Sequence, residues 1–220
     1  MGQKVHPYLF RLGGIFDWKS KWFAKDKEYA KFIQQDVTLR KWVRSKLKDA
    51  RIARIDIERS RGNVVLNIST AKPGLIIGRG GSGLEEMKKG IKKHFPELKE
   101  SVEIRIHEIQ VPHLSAQILV DQMIADIEKR MPFRRVLKFT IEQALKAGAK
   151  GIKVQIAGRL NGAEIARTEM LSSGKVPLQT LRANIDYSRG TAFTTYGTIG
   201  LSAWVYKGEV FDVNAEEGKA

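Results

Sequence analysis

The chain has 220 residues, 42% of them hydrophobic, which is enough for two small cores, and its 39 Lys plus Arg against 24 Asp plus Glu give a formal net charge of +15. That charge calls for a polyanionic partner, whereas no run approaches the roughly 18 apolar residues of a membrane-spanning helix, so no membrane role is expected. There is no cysteine, which excludes disulfides, thiolate metal sites and a Cys nucleophile; His6, His94, His107 and His113 lack metal-ligand spacing, and no metal or cofactor is expected.

Residues 1–16 combine Pro7 and Gly13-Gly14 with Tyr8, Phe10, Phe16 and basic side chains, which predicts a basic N-terminal arm that orders against a partner. From Asp36 to Asp49 the apolar residues Val37, Leu39, Trp42, Val43 and Leu47 recur at helical spacing. Ile55 and Ile57 then alternate with Asp56 and Glu58. Arg61-Gly62-Asn63 supplies turn residues, and residues 64–70 form a second strand, so a hairpin is predicted. Pro73-Gly74 opens a helical turn through Ile77. After a glycine-rich turn, Ser82 with Glu85 reads as a capping box for a helix running to His94. Val102, Ile104 and Ile106 alternate as a third strand, and Val111-Pro112 marks a boundary. Residues 17–110 thus read as a helical N-terminal segment and an α-β-β-α-α-β module.

Beyond the boundary, Leu119, Val120, Met123, Ile124 and Ile127 share one face of a helix over residues 115–130. Pro132 breaks it, and a second helix runs from Phe133 to Lys146 with Gly148 as its stop. Strands follow at residues 152–156, 181–187 and 199–206, with a turn over residues 158–167. Residues 111–212 are therefore expected as a second α+β domain, two helices on a mostly antiparallel sheet, and residues 213–220 as a short polar tail.

Gly78 to Gly83 also fits G-x-G-x-x-G, with Glu103 or Glu108 near the spacing of a ribose-binding acid. The context argues against a dinucleotide site, because Pro73-Gly74 interrupts the strand that should enter the first glycine. No Lys-Ser or Lys-Thr pair follows, as a phosphate-binding loop requires. A plain helix-helix turn relieved by glycine would also produce the pattern. A G-x-x-G loop between two short helices, the clamp of KH modules, needs only Gly78, Arg79, Gly80 and Gly81: glycines admit a sugar-phosphate chain, Arg79 adds charge, and Ile76 and Ile77 support the loop.

The order of elements resembles the type II KH fold, and the whole chain resembles the family of bacterial small-subunit ribosomal protein three. The resemblance rests on Met1-Gly2-Gln3-Lys4-Val5-His6-Pro7 with Phe10-Arg11-Leu12-Gly13, on Pro73 to Gly81, on Phe133-Arg134-Arg135-Val136-Leu137-Lys138 and on Gly148 to Val154. It continues through Gly158-Arg159-Leu160-Asn161-Gly162-Ala163-Glu164-Ile165-Ala166-Arg167 and Thr195 to Gly200. It implies a structural, non-catalytic protein of the small-subunit head, cytoplasmic and ribosome-associated, or in an organelle's stroma or matrix if organelle-encoded. The implied partners are rRNA, mRNA and the neighbouring head proteins ten and fourteen, with no small-molecule substrate. In that family Arg134, Arg135 and Lys138 would face entering mRNA and support its unwinding. Gln3, Lys4, His6, Arg11, Arg159, Asn161 and Arg167 would belong to interfaces with rRNA or protein.

The spacing itself puts Arg134 and Lys138 four apart on one helix with Arg135 adjacent, a patch able to grip backbone without reading bases. A solvated helix face partly neutralised by Glu142 accounts for that spacing equally well. Arg159 and Arg167 could also pair internally with Glu164 and Glu169. Three departures stand out: Gly80 follows Arg79 where many relatives have a second basic residue, Phe139 replaces a basic residue after Lys138, and the chain ends in Glu216-Glu217 rather than a basic extension. A free KH-type RNA chaperone is the alternative function, and salt-resistant retention on small subunits distinguishes the two.

Overall fold

The computed structural model describes residues 4–60, 62–95 and 101–211. The chain divides into two compact units, one of Trp18–Gln110 and one running from Val111 onward together with the N-terminal residues up to Asp17. The first element, the single-turn helix α1 (Pro7–Phe10), therefore belongs to the second unit.

The first unit runs β1 (Ser20–Lys21), α2 (Asp26–Lys46), β2 (Ile52–Ser60), β3 (Asn63–Thr70), α3 (Pro73–Ile77), α4 (Ser82–His94) and β4 (Ser101–Glu108). Apart from the two-residue β1, this is the α-β-β-α-α-β order expected of a KH module. The sheet order is β1-β2-β3-β4, with β2 and β3 antiparallel and the outer pairs parallel. Alternation fills the core: Ile55, Ile57, Val64, Leu66 and Ile68 meet Leu39 and Val43 of α2 and Met87 and Ile91 of α4.

Helix α2 begins ten residues before the Asp36 start that periodicity predicts. Its first part carries no clean apolar stripe, since Tyr29 and Ile33 remain 47% and 42% exposed, and periodicity is silent there. Asp36, which looks like a helix start, is instead a buried hub. Its carboxylate accepts from Ser20 Oγ and Trp22 Nε1, both at 2.8 Å, and from Arg59 Nη2 at 2.7 Å. The Arg59 guanidinium lies over the Phe32 ring, 4.6 Å from its centroid. One carboxylate thus joins β1, α2 and β2.

The second unit continues with α5 (Ala116–Glu128), α6 (Phe133–Lys146), β5 (Gly151–Gly158), β6 (Arg167–Gly174), β7 (Ala183–Thr194) and β8 (Gly197–Glu209). The sheet is antiparallel throughout in the order β6-β5-β8-β7. Its core joins Leu119, Met123 and Ile127 to Val136 and Leu137 and to Ile152, Val154, Ile156, Leu201 and Val205. Asp186 of β7 accepts from the Ala116 N–H at 2.8 Å, satisfying one of the unpaired donors at the start of α5. Strand β6 was absent from the sequence expectation: its Arg-Thr-Glu-Met-Leu-Ser-Ser-Gly run lacks β-branched apolar residues, and Met170 is 52% exposed.

Residues 4–17 form a short helical turn fixed to the second unit rather than a fully extended arm. Arg11, expected at an interface with RNA or protein, is 2% exposed. Its Nη1 donates to the Pro7 carbonyl at 2.8 Å, and its Nη2 to the carbonyls of Leu178 and Thr180 at 2.9 Å and of Pro177 at 3.3 Å. Burial holds its pKa below the ordinary guanidinium value. The group is a clamp, engaged with backbone where no RNA reaches it.

Replacing Asp36 with Ala removes the carboxylate that faces the buried Arg59 charge and should cost about 3 kcal/mol of stability. Denaturant unfolding measures this as a lowered midpoint.

Candidate nucleic-acid interface

Helix α3 ends at Ile77, and the chain turns through Gly78 (φ 69°), Arg79, Gly80 (φ 60°) and Gly81 (φ 83°) into α4. Gly81 in the left-handed region is the residue that caps α4, and Ser82 is already helical, with no side-chain cap bond. The capping box expected from Ser82 and Glu85 is therefore corrected: the turn needs a positive φ at the cap position, which glycine supplies. The less visible requirement is Gly83. A Cβ there would lie 2.5 Å from the Ile76 carbonyl oxygen, so α3 and α4 meet backbone to backbone. Ile76 is buried beneath the loop, whereas Leu75 and Ile77 are 58% and 38% exposed. Gly78, Arg79 and Gly80 are all exposed. The result is a fixed, positively charged turn with bare main chain and apolar flanks, a surface a sugar-phosphate chain can approach closely.

In the second unit, Arg134, Arg135 and Lys138 are exposed along α6 while Val136 and Leu137 face the core. With Pro132, Phe139 and Glu142 they border an open hollow of about 490 Å³. Glu142 pairs with Lys146 at 2.9 Å, and that hydrogen bond holds its carboxyl below the usual range. Glu142 is thus paired with Lys146 rather than with Lys138, and among the described residues Arg135 and Lys138 make no ion pair. Arg134 alone is tethered, its Nε 3.5 Å from Glu169 of β6. Two arginines in the first turn of a helix with no acid there oppose the helix dipole. A surface helix shaped for stability would carry the opposite sign.

The sequence pattern of the KH domain matches residues 38–114, and that of the ribosomal protein S3 C-terminal domain matches residues 123–205. Small ribosomal subunit protein uS3 of Clostridium perfringens is 49% identical over 219 residues, 100% of this chain and 98% of its own length. The uS3 of Caldicellulosiruptor bescii is 48% identical over 98% of this chain and 96% of its own. The chain belongs to the uS3 family. Members of that family are structural, non-enzymatic components of the small ribosomal subunit that bind RNA.

Other residues that the uS3 resemblance singled out are scattered. Lys4 and His6 are exposed, and His6 meets the Tyr187 ring edge-on, centroids 4.7 Å apart; Gln3 lies outside the described residues, as do Glu216 and Glu217. Arg159 turns inward on its own loop, donating from Nε to the Ala163 carbonyl at 2.9 Å and from Nη1 to that of Tyr196 at 3.3 Å. Asn161 is exposed. Arg167 pairs with Glu169 at 3.3 Å, and its guanidinium and that of Arg134 each lie 5.7 Å from the Phe133 ring centroid. Glu169 thus links Arg167, the first residue of β6, to the α6 patch, a connection invisible in sequence because it depends on the register that pairs Glu169 with Ile156.

Gly83→Ala should drive α4 off α3, lowering stability by about 2 kcal/mol and abolishing RNA binding by the loop. Gly80→Ala, with open space around its Cβ, meets only the left-handed backbone cost of about 1 kcal/mol. Unfolding midpoints and RNA affinity of the two variants check that order.

Proposed function

We propose that the chain lines the path by which mRNA enters the small ribosomal subunit, with Arg134, Arg135 and Lys138 holding the strand while structure ahead of it is unwound. The observation that carries this reading is the exposed start of α6, where Arg134 and Arg135 stand in an acid-free first turn against the helix dipole, Lys138 follows one turn on, and only Arg134 is tethered. Such contacts are sequence-neutral, because they engage phosphate and leave base edges unread. A strand moved along codon by codon needs that neutrality.

Gly78 to Gly81, with Arg79, holds an RNA backbone at the KH loop, and rRNA is the ligand we assign to it. Among the described residues expected at interfaces, Lys4, His6, Asn161 and Arg167 are the exposed ones, and they meet rRNA or the neighbouring head proteins ten and fourteen. The chain works on the ribosome, in the cytoplasm of a bacterial cell.

Small subunits carrying Arg134→Ala, Arg135→Ala and Lys138→Ala together should assemble with near-normal protein content. They should translate unstructured messages at the normal rate and slow several-fold on a message with a stable hairpin. Equal rates on both messages, or loss of the chain from salt-washed subunits, would contradict the assignment; the latter would make these scaffold residues.

A further inference from the structure

At one end of the second unit three loops converge: residues 129–132 between α5 and α6, residues 159–166 between β5 and β6, and the turn at residues 195–196 between β7 and β8. They enclose a cavity of about 390 Å³. Rings of Phe133, Phe193 and Tyr196 line it with Arg130, Arg159 and Asn161. The one acid in its wall, Glu128, accepts from the Phe193 N–H at 3.3 Å and so braces the hairpin tip. Arg159 braces the same tip through the Tyr196 carbonyl. Phe193 and Tyr196 nevertheless stay 73% and 58% exposed.

Two further observations give this cavity a role. Asn161 (φ 55°), one of the described non-glycine residues in the left-handed region, lines it, and a conformation of that kind gathers where function demands a side chain in a set place. Arg130 (φ 62°) also lines it, set there by the helix stop of α5, in which its N–H donates to the Ile127 carbonyl at 2.8 Å and that of Met131 to the Asp126 carbonyl at 3.0 Å. Pro132 lines both this cavity and the hollow beside Arg134, Arg135 and Lys138. The two hollows therefore adjoin, and the cavity lies within reach of a strand held on the α6 cations.

We propose that the cavity receives one unpaired base of RNA held on the α6 patch. The base stacks on the exposed rings at the hairpin tip, a contact any base can make; the Asn161 amide, able to donate or accept, meets whichever polar edge that base presents, and Arg130 meets an adjoining phosphate. The cavity is at the small end of the roughly 300–1,000 Å³ of small-molecule sites, suited to one base rather than a folded element. Exposed rings beside cations are the chemistry of single-strand binding, whereas an apolar side chain from a neighbouring protein would leave Arg130 no anion. The proposal rests on the RNA reading of the α6 patch.

The test uses the full chain and a single-stranded RNA oligonucleotide containing 2-aminopurine, read by anisotropy for affinity and by fluorescence for stacking. Binding should quench the probe. The double variant Asn161→Gly with Phe193→Ala keeps a residue able to adopt the left-handed backbone and removes only an exposed ring. It should bind about tenfold more weakly, lose the quench and keep the wild-type salt dependence. Oligonucleotides bearing 4-thiouridine should photocross-link wild-type chain at residues 159–162 or 193–196, a readout that needs no variant. Unquenched probe, or unchanged affinity and quench in the double variant, would overturn the cavity proposal. The α6 reading fails separately, if the Arg134, Arg135 and Lys138 triple variant binds the oligonucleotide as wild type does. Loss of binding to neighbouring head proteins with RNA affinity intact would assign the cavity to a protein and overturn it too.

Discussion

A guanidinium buried against protein acceptors is not available to a phosphate, and in this chain, apart from the part-tethered Arg134, the cations that hold the fold and those left free for a polyanion are different side chains. Arg11 is committed to four backbone carbonyls, Arg59 to Asp36, and Arg159 to the carbonyls of Ala163 and Tyr196. Each is a planar fork satisfying several acceptors at once, a task a lysine ammonium performs poorly. Arg79, Arg135 and Lys138 are exposed and make no ion pair among the described residues. Net charge of +15 therefore overstates the positive surface available to a polyanion, because part of that charge is engaged with protein acceptors.

Both candidate surfaces rest on a rigid base. At the KH loop that base is the backbone contact between α3 and α4 through Gly83, with Ile76 buried at 1% exposure beneath it. On α6 it is the buried Phe133, Val136 and Leu137, which settle the helix face. Preorganised cations lose little side-chain freedom when a strand arrives. Arg134 adds a second device, since its tether to Glu169 and its place over Phe133 restrict its motion while leaving it 70% exposed.

Legibility in the sequence followed the strength of local signals. The strands of the first unit and helix α6 were readable from alternation and 3.6-residue spacing, and α6 runs over the expected residues. The glycine loop was readable because its conformational demand is written in residue type. The start of α2 was not, because Tyr29 and Ile33 break the apolar stripe, nor was β6, whose pairing is imposed by β5. Arg11 misled because a buried arginine on carbonyl oxygens is indistinguishable in sequence from one on phosphate. Ser82 misled because the capping-box pattern holds, yet the position before it had already been taken by a glycine turn. For the α6 patch, the three residues were visible and the structure leaves all three exposed; the link through Glu169 needed strand register.

The central claim is that RNA is held through phosphate by a few identifiable cations. The most direct test is the salt dependence of binding between the full chain and single-stranded RNA of scrambled sequence. Each phosphate contact contributes about 0.7 to the slope of log K against log salt, so removing the charges of Arg134, Arg135 and Lys138 should lower that slope by about 2. An unchanged slope, or affinity that depends on base sequence rather than salt, would contradict the account.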